Sequence, residues 1–210
     1  MEYISHLSKD RKLKKIIDPS NPHRLKKKKN ICTYLCASIM SQQLSTKVAD
    51  VIHKRFLALY GDKDPSPQQI LDTPFEVLRG IGLSNAKVNY VKNVAQFELE
   101  QGLDVKKLNA MSNEEVIEYL IGIKGVGRWT VEMLLMFALG REDVFAVDDL
   151  GIQNAMAKLY GIESTDRKKL KEKMVGLSGK WAPYRTYACL HLWRWRDDKP
   201  VVKRPKDKIK

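Results

Sequence analysis

Apolar residues recur along the chain at spacings of three and four, and no convincing run of alternating apolar and polar residues competes with them, so the pattern predicts helices. After Ser84, the positions Val88, Val91, Val94 and Ala95 share one face before Gly102 closes the segment. Helix starts are marked as plainly. Ser66-Pro67-Gln68-Gln69 combines an N-cap, a proline at the first helical position and a capping-box glutamine; Thr73-Pro74 repeats the signal, and Ser112 with Glu115 forms another capping box. Further helices are expected from near Trp129 to Leu139, from near Asp149 to Tyr160, from Thr165 to Val175, and after Trp181-Ala182-Pro183. The sum is an all-α protein of roughly nine or ten short helices joined by tight loops. A weak internal echo links Leu78-Arg79-Gly80-Ile81-Gly82 to Leu120-Ile121-Gly122-Ile123, too short to establish a repeat.

With 210 residues and 43% hydrophobic content, the chain has material for one large domain or two small lobes. Charge changes the picture more. Thirty-eight basic residues against 25 acidic ones give a net charge of +13, which points to a polyanionic partner. Anionic membrane is the competing polyanion, but no run of 18 apolar residues exists and Met1 to Lys15 lacks a signal-peptide apolar stretch. A soluble, intracellular protein (cytoplasm, nucleoid or nucleus) with no membrane partner is expected. The cysteines Cys32, Cys36 and Cys189 form no CxxC pair, which argues against a disulfide framework or a zinc or iron-sulfur site. Basic residues also collect in Lys26-Lys27-Lys28-Lys29 and in the tail from Lys199 to Lys210; a solvated or frayed end and nucleic-acid contact are both open readings for the tail.

The most informative string is Leu120-Ile121-Gly122-Ile123-Lys124-Gly125-Val126-Gly127-Arg128-Trp129-Thr130. Its glycines lie between two helical segments, where they permit positive backbone dihedrals and leave no side chain to hold a ligand away. Backbone N–H groups at the start of the second helix can then receive an anion, because they are unpaired and the dipole is positive there. Duplex phosphates fit such a site without any reading of sequence, with Lys124 and Arg128 adding charge beside it.

Together with Arg141-Glu142-Asp143-Val144-Phe145-Ala146-Val147-Asp148-Asp149-Leu150-Gly151-Ile152, this string resembles the helix-hairpin-helix base-excision DNA glycosylases, whose hairpin is followed by a Gly/Pro-rich loop and an essential aspartate. The likeness runs from about Ile31 to Trp193. Arg128-Trp129-Thr130, Asp148-Asp149-Leu150, Tyr184-Arg185-Thr186-Tyr187-Ala188 and His191-Leu192-Trp193 make it most similar to the alkylated-base branch, the 3-methyladenine DNA glycosylase II type. The resemblance implies two helical lobes with a cleft between them: residues 41–143 as a central lobe carrying the hairpin, and 1–40 with 144–210 as a terminal lobe. It further implies a monomer acting on damaged double-stranded DNA, excising bases of the 3-methyladenine and 7-methylguanine type.

Site residues follow from the same likeness. Matching Trp129 to the family tryptophan places the essential acid at Asp149, twenty residues on, and leaves Asp148 to cap the next helix. Breaking a glycosidic bond builds positive charge on the sugar, which an ionised carboxylate stabilises, and a helix N-terminus favours that charge. An alkylated purine is already cationic and leaves without a strong general acid. Trp129, Trp193 and Met133 are expected in the base pocket, where an electron-rich ring attracts a cation. Gln43 and Leu44 are expected at the duplex, Leu44 as the wedge that fills the gap left by the flipped base. Relatives that also nick the strand carry a lysine where this chain has Trp129, whose indole is no amine nucleophile, so a monofunctional enzyme leaving an abasic site is expected. No organic cofactor is implied; family hairpins often hold a monovalent cation on backbone carbonyls, which makes Ile123 and Val126 candidates for Na+ or K+. Three departures loosen the substrate range: Val147 and Lys124 where prolines are common, and Met133 where some members present an aromatic. The competing readings are a non-catalytic hairpin module that only binds DNA, and a bifunctional lyase for oxidised bases using another lysine.

Overall fold

The structure, a computed structural model, describes residues 1–163 and 165–198; the basic tail from Lys199, with its two open readings, lies outside them. Among the described residues are twelve α-helices, two 3-10 turns and no strand: α1 (Glu2–Leu7), α2 (Ile31–Ser41), α3 (Thr46–Ala58), α4 (Pro67–Asp72), α5 (Phe75–Gly80), α6 (Asn85–Gln101), α7 (Val105–Asn109), α8 (Asn113–Ile121), α9 (Arg128–Phe137), α10 (Leu150–Tyr160), α11 (Arg167–Ser178) and α12 (Arg185–Asp197). That exceeds the nine or ten expected because α1, α4, α5 and α7 have only 5 or 6 residues, too few turns to show a period.

Two compact units form. One is the continuous segment 24–144, holding α2 to α9. Its spine is α6, whose Val88, Val91, Val94 and Ala95 are buried as the spacing predicts and against which α2, α4 and α5 pack. The expected boundary at 40/41 is thereby corrected to 23/24. α2 belongs here because its apolar face has α6 as partner, with the Cys36 thiol on the Val91 carbonyl at 3.9 Å, and the Lys28 amide donates to Ala138 at 2.8 Å. All three cysteines are buried.

The other unit joins 1–23 to the described residues from Phe145 to Asp198. Asp10 ties its two halves together. Its carboxylate accepts from the amides of Lys12 and Leu13 at 2.9 and 3.2 Å, from the Tyr160 hydroxyl at 2.5 Å, from the Trp181 indole at 3.0 Å and from Lys180 at 2.8 Å. Burial opposes the charge, but the bonds from Lys180, Tyr160 and Trp181 hold the Asp10 carboxyl well below the usual range.

The predicted serine caps stand immediately before their helices. Ser66–Gln69 and Ser112–Glu115 form complete capping boxes, and Ser84 caps α6. Thr73 does not cap: Pro74 takes the N-cap position of α5, while the Thr73 hydroxyl donates back to the Gln69 carbonyl at 2.7 Å. Likewise Asp166, rather than Thr165, starts α11 by accepting the amides of Lys168 and Lys169, since its carboxylate reaches two donors at once.

The internal echo is visible in the backbone, in a shifted register. Gly82 (φ +109°), buried Leu83 and the cap Ser84 precede α6 just as Gly125 (φ +104°), buried Val126 and the cap Gly127 precede α9.

Candidate functional site

The hairpin between α8 and α9 is closed by its own backbone: Ile123 donates to the Leu120 carbonyl at 3.1 Å and Val126 to the Ile123 carbonyl at 2.9 Å. Ile123 and Val126 are buried, so the Val126 side chain anchors the turn from inside. Gly125 sits in the left-handed region, and a Cβ there would enter the Tyr90 ring. Gly127 differs. Its backbone is extended (φ −102°, ψ 169°), no side chain caps α9, and nothing lies within 4 Å of where a Cβ would project. An uncapped, unobstructed start of a ten-residue helix is the geometry that receives a phosphate.

Of the two basic neighbours, Lys124 is exposed. Arg128 is committed elsewhere, donating twice to Glu114 (2.6 and 3.1 Å) and once to Glu132 (3.2 Å). Its expected role as free charge beside the hairpin is corrected accordingly: two carboxylates neutralise it, and it fastens α8 to α9. The carbonyls of Lys124 and Gly125 accept from Asn93 and Gln42 at 3.2 and 3.3 Å. For the candidate Na+ or K+, the Ile123 carbonyl keeps one lone pair after accepting Val126, a neutral oxygen donor that suits a weakly held cation.

Between α2 and α3 lies a short loop at the surface. Gln43 is one of two non-glycine residues with positive φ (+59°) among those described, a conformation that costs about 1–3 kcal/mol. Leu44 follows it, 38% exposed and outside the core, before Ser45 caps α3.

A cavity of about 350 Å³ opens in the same unit, lined by Trp129 and Met133 from α9, by Tyr34, Ala37, Ser38 and Ser41 from α2, and by Asp50 and His53 from α3. Two of the three expected pocket residues therefore meet, Trp129 40% exposed at the opening and Met133 buried, while Trp193 does not line this cavity. Tyr34 donates to the Met133 carbonyl at 3.2 Å, and burial pushes its phenol up to about 12, so it stays a donor. Sequence reasoning missed Tyr34, His53 and Asp50. One signal was available: Tyr34, Ala37, Ser38 and Ser41 form a helical row of small and polar residues in an otherwise apolar helix.

In the other unit, Asp149 rather than Asp148 is the N-cap of α10. Its Oδ1 accepts the Ile152 amide at 2.8 Å and the Trp193 indole N–H at 2.9 Å. Asp148 instead pairs with Lys171. The capping role expected of Asp148 is thus corrected by one residue, because the Ala146–Asp149 backbone turn brings Asp149 over the open amides. Trp193, expected as a pocket wall, has its polar edge on this carboxylate, which fixes the oxygen's direction. Arg196 packs over Gly151 so closely that any Cβ there would collide with it, and its charge acts on Asp149. The neighbouring Tyr187 and His191 are structural: Tyr187 stacks on Tyr3 at 3.9 Å and His191 is fully buried against His23.

Chemically, one unit supplies a phosphate cradle, a protruding loop and an aromatic cavity, and the other supplies a carboxylate whose one oxygen is held by two donors. No helix among the described residues is long and apolar enough to cross a membrane.

Residues 36–179 match the model of the HhH-GPD superfamily of base excision DNA repair proteins. The chain is 38% identical over 188 residues to DNA-3-methyladenine glycosylase 1 of Schizosaccharomyces pombe, covering 88% of this chain and 80% of that protein. It is also similar to a solved structure of the S. pombe 3-methyladenine DNA glycosylase in complex with abasic DNA (TM-score 0.80, 35% identity, 92% of this chain and 96% of that one). A DNA-3-methyladenine glycosidase from Bacillus halodurans superposes with a TM-score of 0.82 at 36% identity, covering 94% of this chain and 90% of that one.

Proposed function

Because the chain belongs to the HhH-GPD superfamily of base excision DNA repair proteins, we propose that it is a monofunctional DNA glycosylase, acting as a monomer, that removes alkylated bases such as 3-methyladenine and 7-methylguanine from duplex DNA. The observation that carries this reading is Asp149. A carboxylate fixed by the Ile152 amide and the Trp193 indole is aimed for electrostatic work, which a plain capping residue would not need.

The hairpin amides before α9, with Lys124, take the phosphate backbone; Leu44 fills the stack and Gln43 presents the loop that carries it. The extruded base enters beside Trp129 and Met133, whose aromatic and sulfur surfaces attract a cationic purine by roughly 0.5–2 kcal/mol. The bond between C1′ and the base nitrogen breaks with its electrons going to the base, which leaves neutral. Asp149 stabilises the positive sugar that remains, and water adds to C1′ and gives up its proton to the surrounding solvent. With Trp129 where a strand-nicking relative has lysine, no amine of this position can form a Schiff base. A Na+ or K+ on the carbonyls of Ile123 and Val126 would add positive charge facing the phosphate.

Purified protein should release both bases from methylated duplex, leaving unbroken abasic strands, and Asp149→Asn should lose about a hundredfold or more in rate while still binding. No release above background by the unaltered protein, with binding intact, would make it a binding module only; a borohydride-trapped protein–DNA adduct would make it a lyase.

A further inference from the structure

α6 touches both of the elements proposed to hold DNA. Near its start, the Lys87 ammonium donates to the carbonyls of Met40 and Gln42 at 2.8 and 2.7 Å, closing the end of α2 where the Leu44 loop begins. Three residues on, the Tyr90 ring lies against the α-carbon of Gly125. After three more, Asn93 donates to the Lys124 carbonyl at 3.2 Å. A cross-tie completes the frame: the Gln42 side-chain amide donates to the Gly125 carbonyl at 3.3 Å. Lys87 and Asn93 are about 9 Å apart along a rigid helix axis, so the loop and the hairpin are held at a set spacing.

We infer that Lys87 is a positioning residue for base extrusion: with Tyr90 and Asn93 it makes α6 a ruler that registers the Leu44 loop against the phosphate-holding hairpin. This rests on the glycosylase reading above. The physical need is clear in the loop itself. Gln43 occupies a costly left-handed conformation, and a strained loop keeps one shape only when its surroundings over-determine it. Two charge-assisted bonds to the carbonyls at its start supply that constraint, stronger than neutral ones. An exposed leucine driven between stacked bases must also resist being pushed back, and unstacking costs a few kcal/mol.

The test separates extrusion from attachment. Lys87→Met keeps the stem and removes the donors; Gln42→Ala cuts the cross-tie from the loop side. Each is assayed for single-turnover release of 7-methylguanine, for the fluorescence rise of a 2-aminopurine placed beside the lesion, for affinity to undamaged duplex, and for thermal melting. In Lys87→Met, base release and the fluorescence rise should fall about tenfold, with affinity within about twofold. The defect should shrink to less than about threefold when the lesion faces an abasic site, where the base is already loosely stacked. Gln42→Ala should show a smaller defect of the same kind.

Unchanged release and fluorescence in a folded Lys87→Met overturn the inference, as does an equal defect on both substrates. Parallel loss of melting temperature and affinity in both variants would mark a purely structural role. If the unaltered protein itself releases no base, the glycosylase reading fails first; the fluorescence arm then decides the inference alone, since a ruler must still govern how the loop enters the stack.

Discussion

Gly125 and Gly127 stand two residues apart and are glycine for different reasons. Gly125 has φ +104° with the Tyr90 ring in the space of a side chain, so Gly125→Ala meets both a backbone and a steric penalty. A loss of about 2 kcal/mol or more in urea unfolding is expected. Gly127 has ordinary extended backbone and open space, so Gly127→Val should leave unfolding nearly unchanged and weaken duplex binding for all sequences alike. Selective loss on some sequences, measured by fluorescence anisotropy on several duplexes, would contradict phosphate-only contact. The sequence marked both glycines but could not say which was for the fold and which for the ligand, since that depends on Tyr90, 35 residues earlier. The adjacent aspartates repeat the lesson. The family resemblance, matched at Trp129, implies Asp149 as the essential acid and leaves Asp148 to cap the helix; the actual turn gives the cap to Asp149 and Asp148 to Lys171. Asp148→Ala removes only a half-exposed ion pair and should cost less than about 1 kcal/mol with base release retained.

At the scale of elements, signals confined to one turn were legible and those needing two elements were not. The capping boxes at Ser66 and Ser112 and the buried face of α6 depend on residues within a few positions of each other. The cavity at Trp129 draws Tyr34 from α2 and His53 from α3; the polar row in α2 hints at a lined face, but nothing local says which helices it meets. Arg128 shows the same limit in reverse. Its position beside the hairpin suggested a free charge, whereas Glu114 from α8 and Glu132 from α9 consume it. The two basic residues should therefore behave differently in binding measured over a salt series. Lys124→Ala should lower the slope of log affinity against log salt by about 1, and Arg128→Ala should leave the slope nearly unaltered while loosening the α8–α9 junction by about 1 kcal/mol. Equal slope changes would return Arg128 to the interface.

For the whole molecule, a net charge of +13 predicts steeply salt-dependent attachment to DNA, but the stability of the chain against acid is set by a small buried group. His23 and His191 meet edge to face at 4.6 Å in the unit that carries Asp149. Arg194 can only donate, so the His23 Nδ1 it touches at 3.0 Å is an acceptor, which requires the ring to be neutral. Neither nitrogen of His191 has a hydrogen-bond partner among the described residues. Burial, aided by Arg194, pushes His23 down to about 4, and burial, His23 and Arg194 push His191 down to about 4; Asp18 pulls the other way on His191 more weakly. Between the ordinary histidine value near 6.5 and about 4, the unfolded chain binds protons that the folded chain refuses, so stability falls as pH drops through that window and levels off below it for these two groups. Asp10 does not blur this window, because its carboxyl stays charged until well below it. Since α12 carries His191 and, two residues on, the tryptophan that aims Asp149, opening this pair should remove activity along with structure. His191→Leu fills the same space without polar atoms, so it should be neutral or stabilising at pH 7 and should flatten the fall in melting temperature between pH 6.5 and 4.5. An equally steep fall in that variant would assign the acid sensitivity to other groups.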